Sequence, residues 1–314
     1  MPRPERHDAL IVGGGLAGLS AAFVLHGFGL DALILEGAMQ PGGQLHEIHA
    51  SVRDVPLAFG WDGRRIADRL LGDARAAELK ILVGSPVTRL SARGRWVERG
   101  EGAAAERYQA RAILIATGLE RRSLGVPGEA ALTGRGVSVS ANQDRERFAG
   151  RPVAVVGGGT AAVEDALLCA DVGCDVTLLH RSTRFRARSD FLARARSHPR
   201  IRFVTNAAVL RIVGTERVEA IVYRVGRGRS ERSAGVNAVF VRIGWKPRTD
   251  FLRGVVRLDR AGYVKAGEGG ATSARGVWAA GDVCSPRSPS ISNAIGQGAA
   301  AAWEITRALG RLRG

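Results

Sequence analysis

Two glycine-rich motifs carry the clearest chemistry in this sequence of 314 residues. They read GGGLAG at 13–18 and GGGTAA at 157–162. Each follows an apolar run and opens a stretch of small residues, which predicts a strand, a tight turn and a helix. The free amide groups and the positive dipole end of such a helix bind phosphate groups. Both motifs therefore predict dinucleotide binding.

In the first motif, each glycine has its own purpose. Gly13 allows the tight turn, Gly15 lets a pyrophosphate approach the backbone, and Gly18 lets the helix pack against the strand. A second apolar run, 32–35, ends at Glu36. A carboxylate at this position accepts hydrogen bonds from the ribose of an adenosine. The first motif and Glu36 together predict a complete βαβ dinucleotide site.

The second motif ends differently. Its second predicted strand, 175–179, is followed by His180 and Arg181, with Arg186 close behind. An arginine at this position accommodates the 2′-phosphate of NADP, whereas an acid selects the free ribose hydroxyl. This difference predicts an NADPH site. The alternative is an arginine-rich exposed loop beside a degenerate nucleotide site.

These motifs need strands to carry them and helices to present their amide groups. Apolar runs predict the strands, and apolar residues at helical spacing predict the helices. Their alternation predicts an α/β fold with two Rossmann-like dinucleotide-binding domains. Helices are predicted at 62–79, 161–171 and 292–309, a hairpin at 87–98 and 106–110, and strands at 9–12, 32–35, 81–87, 112–116, 153–156, 175–179, 201–204, 209–213, 218–224, 238–243 and 263–266.

The composition limits the classes of partner. The formal net charge is +16, from 46 Lys and Arg against 30 Asp and Glu, and most of the excess is arginine. This charge is either spread over a solvated surface or attracts phosphate-bearing ligands or an acidic electron-carrier protein. Aromatic residues make up only 5% and no basic block is interleaved with them, so we do not expect nucleic acid binding.

Membrane, metal and disulfide classes find little support either. There is no uninterrupted apolar run of 18 residues, so no membrane span is expected. The first apolar run leads into the glycine motif, so we interpret it as a strand and predict a cytoplasmic protein. The three cysteines, Cys169, Cys174 and Cys284, show no Cys-x-x-Cys spacing and are interpreted as buried thiols. We identify no metal site.

Two dinucleotide motifs, ATG at 116–118 and GD at 281–282 together resemble the flavoprotein pyridine nucleotide-disulfide oxidoreductases. The short length and the order of parts resemble the low-molecular-weight thioredoxin reductase family. The resemblance covers almost the whole chain. Further matching segments are PGGQL at 41–45, GGGTAAVEDAL at 157–167, HRSTRFRA at 180–187, IGWKP at 243–247, AGDV at 280–283 and GQGAAAA at 296–302.

The resemblance implies a homodimer with an FAD-binding domain formed by 1–118 and 247–314. An NAD(P)H-binding domain, 119–246, would be inserted between these two pieces. FAD contacts are implied for Gly13, Gly15, Leu16, Ala17, Gly18, Glu36, Gly43, Gln44, Thr117, Gly118, Gly281, Asp282, Ser290 and Ile291. NADPH contacts are implied for Gly157, Gly159, Thr160, Ala161, Ala162, His180, Arg181 and Arg186.

One departure from the family pattern changes the predicted reaction. Ser140 and Gln143 stand where the family has its two redox cysteines, and only the following Asp144 is retained. A hydroxyl and an amide cannot form a mixed disulfide. We therefore expect an FAD- and NADPH-dependent oxidoreductase without an internal dithiol, and not a thioredoxin reductase. Its acceptor would be a ferredoxin or flavodoxin, a quinone, free flavin or dioxygen.

Two alternatives from other classes remain open in the sequence. One is a flavin-dependent oxidase or dehydrogenase of a small organic substrate, with no working NADPH site. Asp144 would then act as an acid or base beside the flavin, although it also suits a helix start. The other is a non-catalytic flavin-bound sensor. Cys284 is the thiol nearest to a flavin motif, but it has no partner cysteine close in sequence.

Overall fold

The structure is a computed structural model that describes residues 5–311 apart from 50, 101, 227, 229 and 285–288. Its helices are α1 (Leu16–Gly27), α2 (Gly63–Ala76), α3 (Ala141–Asp144), α4 (Thr160–Asp171), α5 (Ser189–Ser197) and α6 (Ile291–Ala308). Its strands are β1 (Glu5–Val12), β2 (Ala32–Leu35), β3 (Lys80–Leu82), β4 (Val87–Ser91), β5 (Trp96–Arg99), β6 (Glu106–Ile115), β7 (Leu119–Arg121), β8 (Val137–Ser138), β9 (Pro152–Val156), β10 (Asp175–Leu179), β11 (Ile201–Val204), β12 (Ala207–Val213), β13 (Ala220–Val225), β14 (Glu231–Gly235), β15 (Ala238–Val241), β16 (Trp245–Pro247) and β17 (Val277–Ala279).

The chain divides into two compact units. The first unit is Met1–Glu120 with Lys246–Gly314, and the second unit is Arg121–Trp245. These boundaries lie close to the predicted domain boundaries, which fall after 118 and after 246. Parallel sheets flanked by helices occur in both units, and the predicted α/β fold with two Rossmann-type domains is confirmed.

The first unit is built on a sheet with the order β3-β2-β1-β6. β1 is parallel to both β2 and β6, and β17 is parallel to the end of β6. β4 and β5 form an antiparallel meander beside the start of β6. Leu10, Ile11, Ile113 and Leu114 are fully buried, so β1 and β6 form the centre of the core. The strand order reverses at β1, with β2 on one side and β6 on the other, and such a switch point opens a crevice at the carboxyl ends of the strands.

Small residues bring α6 close to α1. A Cβ atom at Gly298 would lie 2.1 Å from the carbonyl oxygen of Ala17, so a side chain there would force the helices apart. α6 begins with a capped turn, because the Ser290 hydroxyl accepts a hydrogen bond from the Asn293 amide at 3.2 Å. Among the described residues, we find no helix with both the length and the apolar character to cross a membrane.

The second unit has a parallel sheet with the order β11-β10-β9-β15-β8. α4 connects β9 to β10, as a dinucleotide-binding βαβ unit requires. Val153, Val155, Leu178 and Phe240 are fully buried in its core. A separate antiparallel sheet consists of β12, β13 and β14. β7 and β16, which contain the unit boundaries of the chain, pair with each other.

Two predicted strands differ from the structure, and some elements of the structure were not predicted. The predicted strand 81–87 is interrupted, because the Gly84 amide turns to donate to the Ala38 carbonyl at 2.9 Å and a proline follows two residues later. The predicted strand 263–266 makes only an isolated bridge at Val264. β14 was not predicted, because its polar and largely exposed sequence carries no apolar alternation.

Candidate functional site

A cavity of about 830 Å³ lies in the first unit at the carboxyl ends of β1, β2, β6 and β17. Its volume is within the range of small-molecule and cofactor sites. The residues that line it come from seven separated stretches of sequence, which the fold of the first unit brings together. All the residues predicted to bind FAD line the cavity except Gly18; they are Gly13, Gly15, Leu16, Ala17, Glu36, Gly43, Gln44, Thr117, Gly118, Gly281, Asp282, Ser290 and Ile291.

The glycines of the first motif differ in what surrounds them. A Cβ atom at Gly13 would lie 2.4 Å from the Ala116 carbonyl oxygen, and its φ of +109° already disfavours a side chain. A Cβ atom at Gly18 would lie 2.0 Å from the Gly13 carbonyl oxygen. Gly15 faces open cavity, with its nearest neighbour 4.0 Å from an added Cβ atom. Gly13 and Gly18 therefore serve packing, whereas Gly15 leaves room for a ligand.

Glu36 is held rigidly at the end of β2. It is 6% exposed, and its two carboxylate oxygens accept hydrogen bonds from the Gly14 amide at 2.6 Å and the Ala38 amide at 2.7 Å. These bonds fix the carboxylate against the glycine turn and leave further lone pairs facing the cavity. This arrangement fits the ribose hydroxyls of an adenine dinucleotide.

Asp282 supplies an orphaned acceptor on the other side of the cavity. Gln44 Nε2 donates to its Oδ2 at 3.1 Å, while its Oδ1 is buried and has no hydrogen-bond partner among the described residues. Burial raises the pKa of this carboxyl above its usual value, and the Gln44 bond opposes that shift. A buried acceptor without a partner is costly unless a ligand donor reaches it. The cavity therefore fits a group rich in hydroxyls, as the FAD ribityl chain is.

Gln297 was not predicted as part of this site. Its Oε1 accepts a hydrogen bond from the Gly281 amide at 2.8 Å, and its Nε2 donates to Asn293 at 3.1 Å. It thereby fixes the turn that carries Asp282. Gln297 lies within the GQGAAAA segment, but nothing local in the sequence indicates that it reaches back to this turn.

The second glycine motif forms the turn between β9 and α4. Gly159 is the residue before α4, and a Cβ atom there would meet no atom within 4 Å. Thr160 and Ala161 open the helix, and the Thr160 hydroxyl accepts from the Arg188 amide at 3.1 Å. Ala162 is fully buried, and a Cβ atom at Gly157 would lie 2.7 Å from its Cβ. The second glycine motif therefore forms a strand–turn–helix, and the backbone at Gly159 is open to a ligand.

His180 and two arginines flank this turn. The His180 ring lies over Gly158 and packs on Phe185 at 4.8 Å between ring centres. Burial lowers the pKa of His180, as do the positive charges of Arg181 and Arg186. The Arg186 amide donates to the Gly158 carbonyl at 2.8 Å. In the described part of the chain, neither the Arg181 nor the Arg186 guanidinium is paired with protein, so both remain available to an anion.

The segment with Ser140 and Gln143 is tied together by its own polar groups. The Ser138 hydroxyl donates to Asp144 Oδ2 at 2.7 Å, and Arg147 donates to Asp144 Oδ1 at 3.2 Å. Asp144 ends the short helix α3 and retains partial exposure. It is therefore oriented but still reachable by a substrate or by water.

A buried ion pair lies directly behind this segment. Asp165 Oδ2 is 3.2 Å from Arg242 Nε, an ionic contact without hydrogen-bond geometry, and it accepts from the Ala141 amide at 3.1 Å. Arg242 Nη1 donates to the Val139 carbonyl at 2.7 Å. Burial raises the pKa of Asp165 from 3.8 to about 6, although Arg242 opposes this shift. Neither residue was predicted, because no local pattern links positions so far apart.

This raised pKa predicts how stability depends on pH. Between about pH 4 and 6, the folded state binds the Asp165 proton more tightly than the unfolded chain, so stability falls as pH rises through this window. Two pKa units correspond to about 3 kcal/mol. The substitution Asp165→Asn removes this loss. Urea unfolding should show the variant gaining up to about 3 kcal/mol on wild type from pH 4 to pH 7, and a constant difference would contradict the shift.

Two of the three cysteines lie in the core, and Cys284 is partly buried. Cys169 and Cys174 are fully buried in the second unit, and burial raises the pKa of both thiols. Cys284 of the first unit donates to the Gly281 carbonyl at 3.3 Å and is not among the residues that line the cavity. Burial raises its pKa to about 12. Within the described residues, no group of His, Cys, Asp and Glu is arranged to hold a metal ion.

The chain is similar to known proteins over nearly its whole length. Residues 7–298 match the family model described as pyridine nucleotide-disulphide oxidoreductase. The thioredoxin reductase of Mycolicibacterium smegmatis is 37% identical over 96% of both chains. That of Streptomyces clavuligerus is 31% identical over 97% of this chain and 94% of its own. The crystal structure of Lactococcus lactis thioredoxin reductase superposes with a TM-score of 0.78 at 27% identity, covering 98% and 100% of the two chains.

These relatives correct two predictions. The expectation of a non-disulfide acceptor, with the oxidase or dehydrogenase as its alternative, is wrong, and so is the expectation that the chain is not of the thioredoxin reductase class. Relatives named thioredoxin reductase match almost the whole chain at 31–37% identity and point to a dithiol–disulfide reductase. Ser140 and Gln143 do stand at the positions of the two cysteines. The non-disulfide acceptor that was predicted from them, ferredoxin and flavodoxin included, is nevertheless wrong.

Proposed function

Because the chain belongs to the pyridine nucleotide-disulfide oxidoreductase family, we propose that it is a flavin-dependent disulfide reductase of the thioredoxin reductase class. The overall reaction is NADPH + H⁺ + R–S–S–R → NADP⁺ + 2 R–SH. The observation that supports it most is the near full-length similarity to thioredoxin reductases. The cavity with its free Asp282 oxygen supports the flavin, and the open turn at Gly159 supports the nucleotide.

The residues of the first unit would hold FAD. The Gly15 turn and the start of α1 would bind the pyrophosphate, the Glu36 carboxylate would accept from the adenosine ribose, and Asp282 would accept from the ribityl hydroxyls. When bound, FAD accepts a hydride from NADPH and passes an electron pair onward. Ser290 caps α6, whose N-terminal dipole faces the same cavity and favours negative charge there.

Asp144 would donate a proton to a thiolate formed from the disulfide. Breaking a disulfide with two electrons yields two thiolates, and each must gain a proton to become a thiol. Ser138 and Arg147 fix the two Asp144 oxygens while leaving the carboxyl partly exposed. We assign Asp144 as the group that delivers one of these protons.

The substrate itself would bring the disulfide. The sequence has no Cys-x-x-Cys, and Cys284 of the first unit lies outside the cavity lining with a strongly raised thiol pKa. The electron pair would therefore pass to the substrate's own sulfur–sulfur bond, and both thiols would leave with the product. A substrate whose disulfide is exposed is required for this route.

A turnover assay tests this function. The purified flavoprotein is mixed with NADPH and, in parallel, with an oxidised thioredoxin, an aromatic disulfide and oxidised glutathione. We expect NADPH oxidation with two thiols released for each NADPH consumed. NADPH oxidation that depends on dioxygen alone, with no thiol released from any of the disulfides, would contradict the proposal.

Preference for NADPH over NADH provides a second test. Arg181 has a free guanidinium beside the second motif, so Arg181→Ala should raise the KM for NADPH by about 5- to 100-fold. The KM for NADH should change little, because NADH has no 2′-phosphate. Arg217→Ala removes an exposed arginine elsewhere in the second unit and serves as the control. Equal loss for both nucleotides would contradict the 2′-phosphate assignment.

We also propose a cytoplasmic homodimer, as the family resemblance implies. Light scattering of the purified protein should give twice the mass of one chain. A monomer mass across the working concentration range would contradict the dimer.

A further inference from the structure

The buried ion pair Asp165–Arg242 connects α4, the end of β15 and the segment around Ser140, all in the second unit. Asp165 is 2% exposed on α4, and the Arg242 side chain is 16% exposed just after β15. The proposed reaction does not itself use either charge. A buried ion pair can often be replaced by apolar residues without loss of stability. Stability alone therefore does not explain why this pair is present.

The backbone of Arg242 is fixed against the nucleotide turn. Its amide donates to the Val156 carbonyl at 2.8 Å, and its own carbonyl oxygen occupies the space where a Cβ atom at Gly157 would lie, 2.3 Å away. Arg242 therefore cannot shift without disturbing the turn between β9 and α4. This makes it a rigid base from which its side chain reaches outward.

The side chains of the pair hold the backbone on both sides of Ser140. Arg242 Nη1 donates to the Val139 carbonyl at 2.7 Å, and Asp165 Oδ2 accepts from the Ala141 amide at 3.1 Å. Val139 is 39% exposed, so apolar packing secures this stretch only partly. The hydrogen bonds from Arg242 and to Asp165 therefore hold this backbone where the packing of Val139 does not.

We propose that Asp165 and Arg242 are positioning residues that hold the Ser138–Asp144 segment in the arrangement required for disulfide reduction. This inference rests on the proposed function, since Asp144 lies at the end of the held segment. The pair acts through the backbone of Val139 and Ala141 and touches neither the disulfide nor the nucleotide. It also ties this segment to the nucleotide turn through the backbone of Arg242.

The charge state of Asp165 makes the positioning sensitive to pH. The charged and titratable groups that face it are Arg242, Arg121, Glu164 and Cys169. Burial raises the pKa of Asp165 to about 6, so the carboxyl is mostly ionised at neutral pH and becomes protonated below that value. Protonation removes the attraction to Arg242 while the Ala141 amide can still donate to the remaining lone pairs.

Hydrogen exchange measured by mass spectrometry tests the inference without any disulfide. In Asp165→Ala, the amides of 139–144 should exchange faster, while the rest of the second unit keeps its wild-type protection. Asp165→Asn retains an acceptor for the Ala141 amide and should keep protection closer to wild type. Asp171→Asn changes an exposed acid on the same helix and should match wild type throughout.

Kinetics provide the second readout. In Asp165→Ala, thiol release should fall by about 10- to 100-fold while NADPH still reduces the flavin at the wild-type rate. The wild-type rate of thiol release should decline below about pH 6, and Asp165→Asn should lack this decline. Wild-type protection of 139–144 in Asp165→Ala, or a loss spread evenly over the unit, would overturn the inference. Failure of wild type to reduce any disulfide would refute only the proposed function, because the exchange result stands independently.

Discussion

Replacing Asp144 with asparagine is expected to slow thiol release by about 100- to 10,000-fold, the usual contribution of a positioned acid. The substitution keeps the local structure, because the asparagine oxygen still accepts from Ser138 or Arg147. Reduction of the flavin by NADPH should be unchanged, since that step needs no proton from this segment. Stopped-flow absorbance separates the two steps.

Glu146→Gln is the matched control for this variant. Glu146 is an exposed acid two residues further along, paired with Arg145 at 3.4 Å, and its loss should leave both steps at wild-type rates. If Asp144→Asn released thiols as fast as this control, Asp144 would not be the proton donor. If it slowed flavin reduction equally, its effect would lie in the nucleotide step.

Alanine at Gly15 is expected to weaken flavin binding while leaving the fold intact. The backbone there has φ −78°, which alanine adopts readily, and an added Cβ atom would meet no protein atom closer than 4.0 Å. The methyl group would instead occupy space that a pyrophosphate needs. Overpacking of about 1 to 3 kcal/mol corresponds to about a 5- to 150-fold increase in the flavin Kd. Fluorescence titration of the apoprotein with FAD measures this.

Gly27→Ala is the same substitution at the other end of α1. An added Cβ atom there would meet nothing within 4 Å and would face solvent, so the helix should gain up to about 1 kcal/mol and bind FAD normally. Both variants should show wild-type circular dichroism. A Gly15→Ala protein with the flavin affinity of the Gly27→Ala control would refute the assignment of this cavity to FAD.

The parts of the site that the sequence predicted are those encoded within short stretches. Gly13, Gly15 and Glu36 belong to one βαβ unit, and its turn, helix and second strand each leave a local pattern. The position of Asp282 was also predicted, but only through the family resemblance. The sheet then brings these residues to one cavity because their strands end at the same edge.

The parts that the sequence did not predict depend on contacts between distant residues. Arg242 and Asp165 come from a strand end and a helix that only the folded second unit places together. Gln297 reaches the Gly281 amide from a different helix in the same way. The acceptor was predicted wrongly for another reason. The absence of two cysteines concerns only one step of the electron path. Similarity over the whole chain indicates the class of reaction, and that class is disulfide reduction.

Electrons are expected to travel from NADPH through a flavin to a disulfide. Anaerobic titration of the yellow holoprotein tests it directly. NADPH should bleach the flavin absorbance, and a subsequent addition of an aromatic disulfide, still without dioxygen, should restore it with release of two thiols for each disulfide. A flavin that stays bleached in the presence of the disulfide and regains its absorbance only on admission of air would contradict this path of electrons.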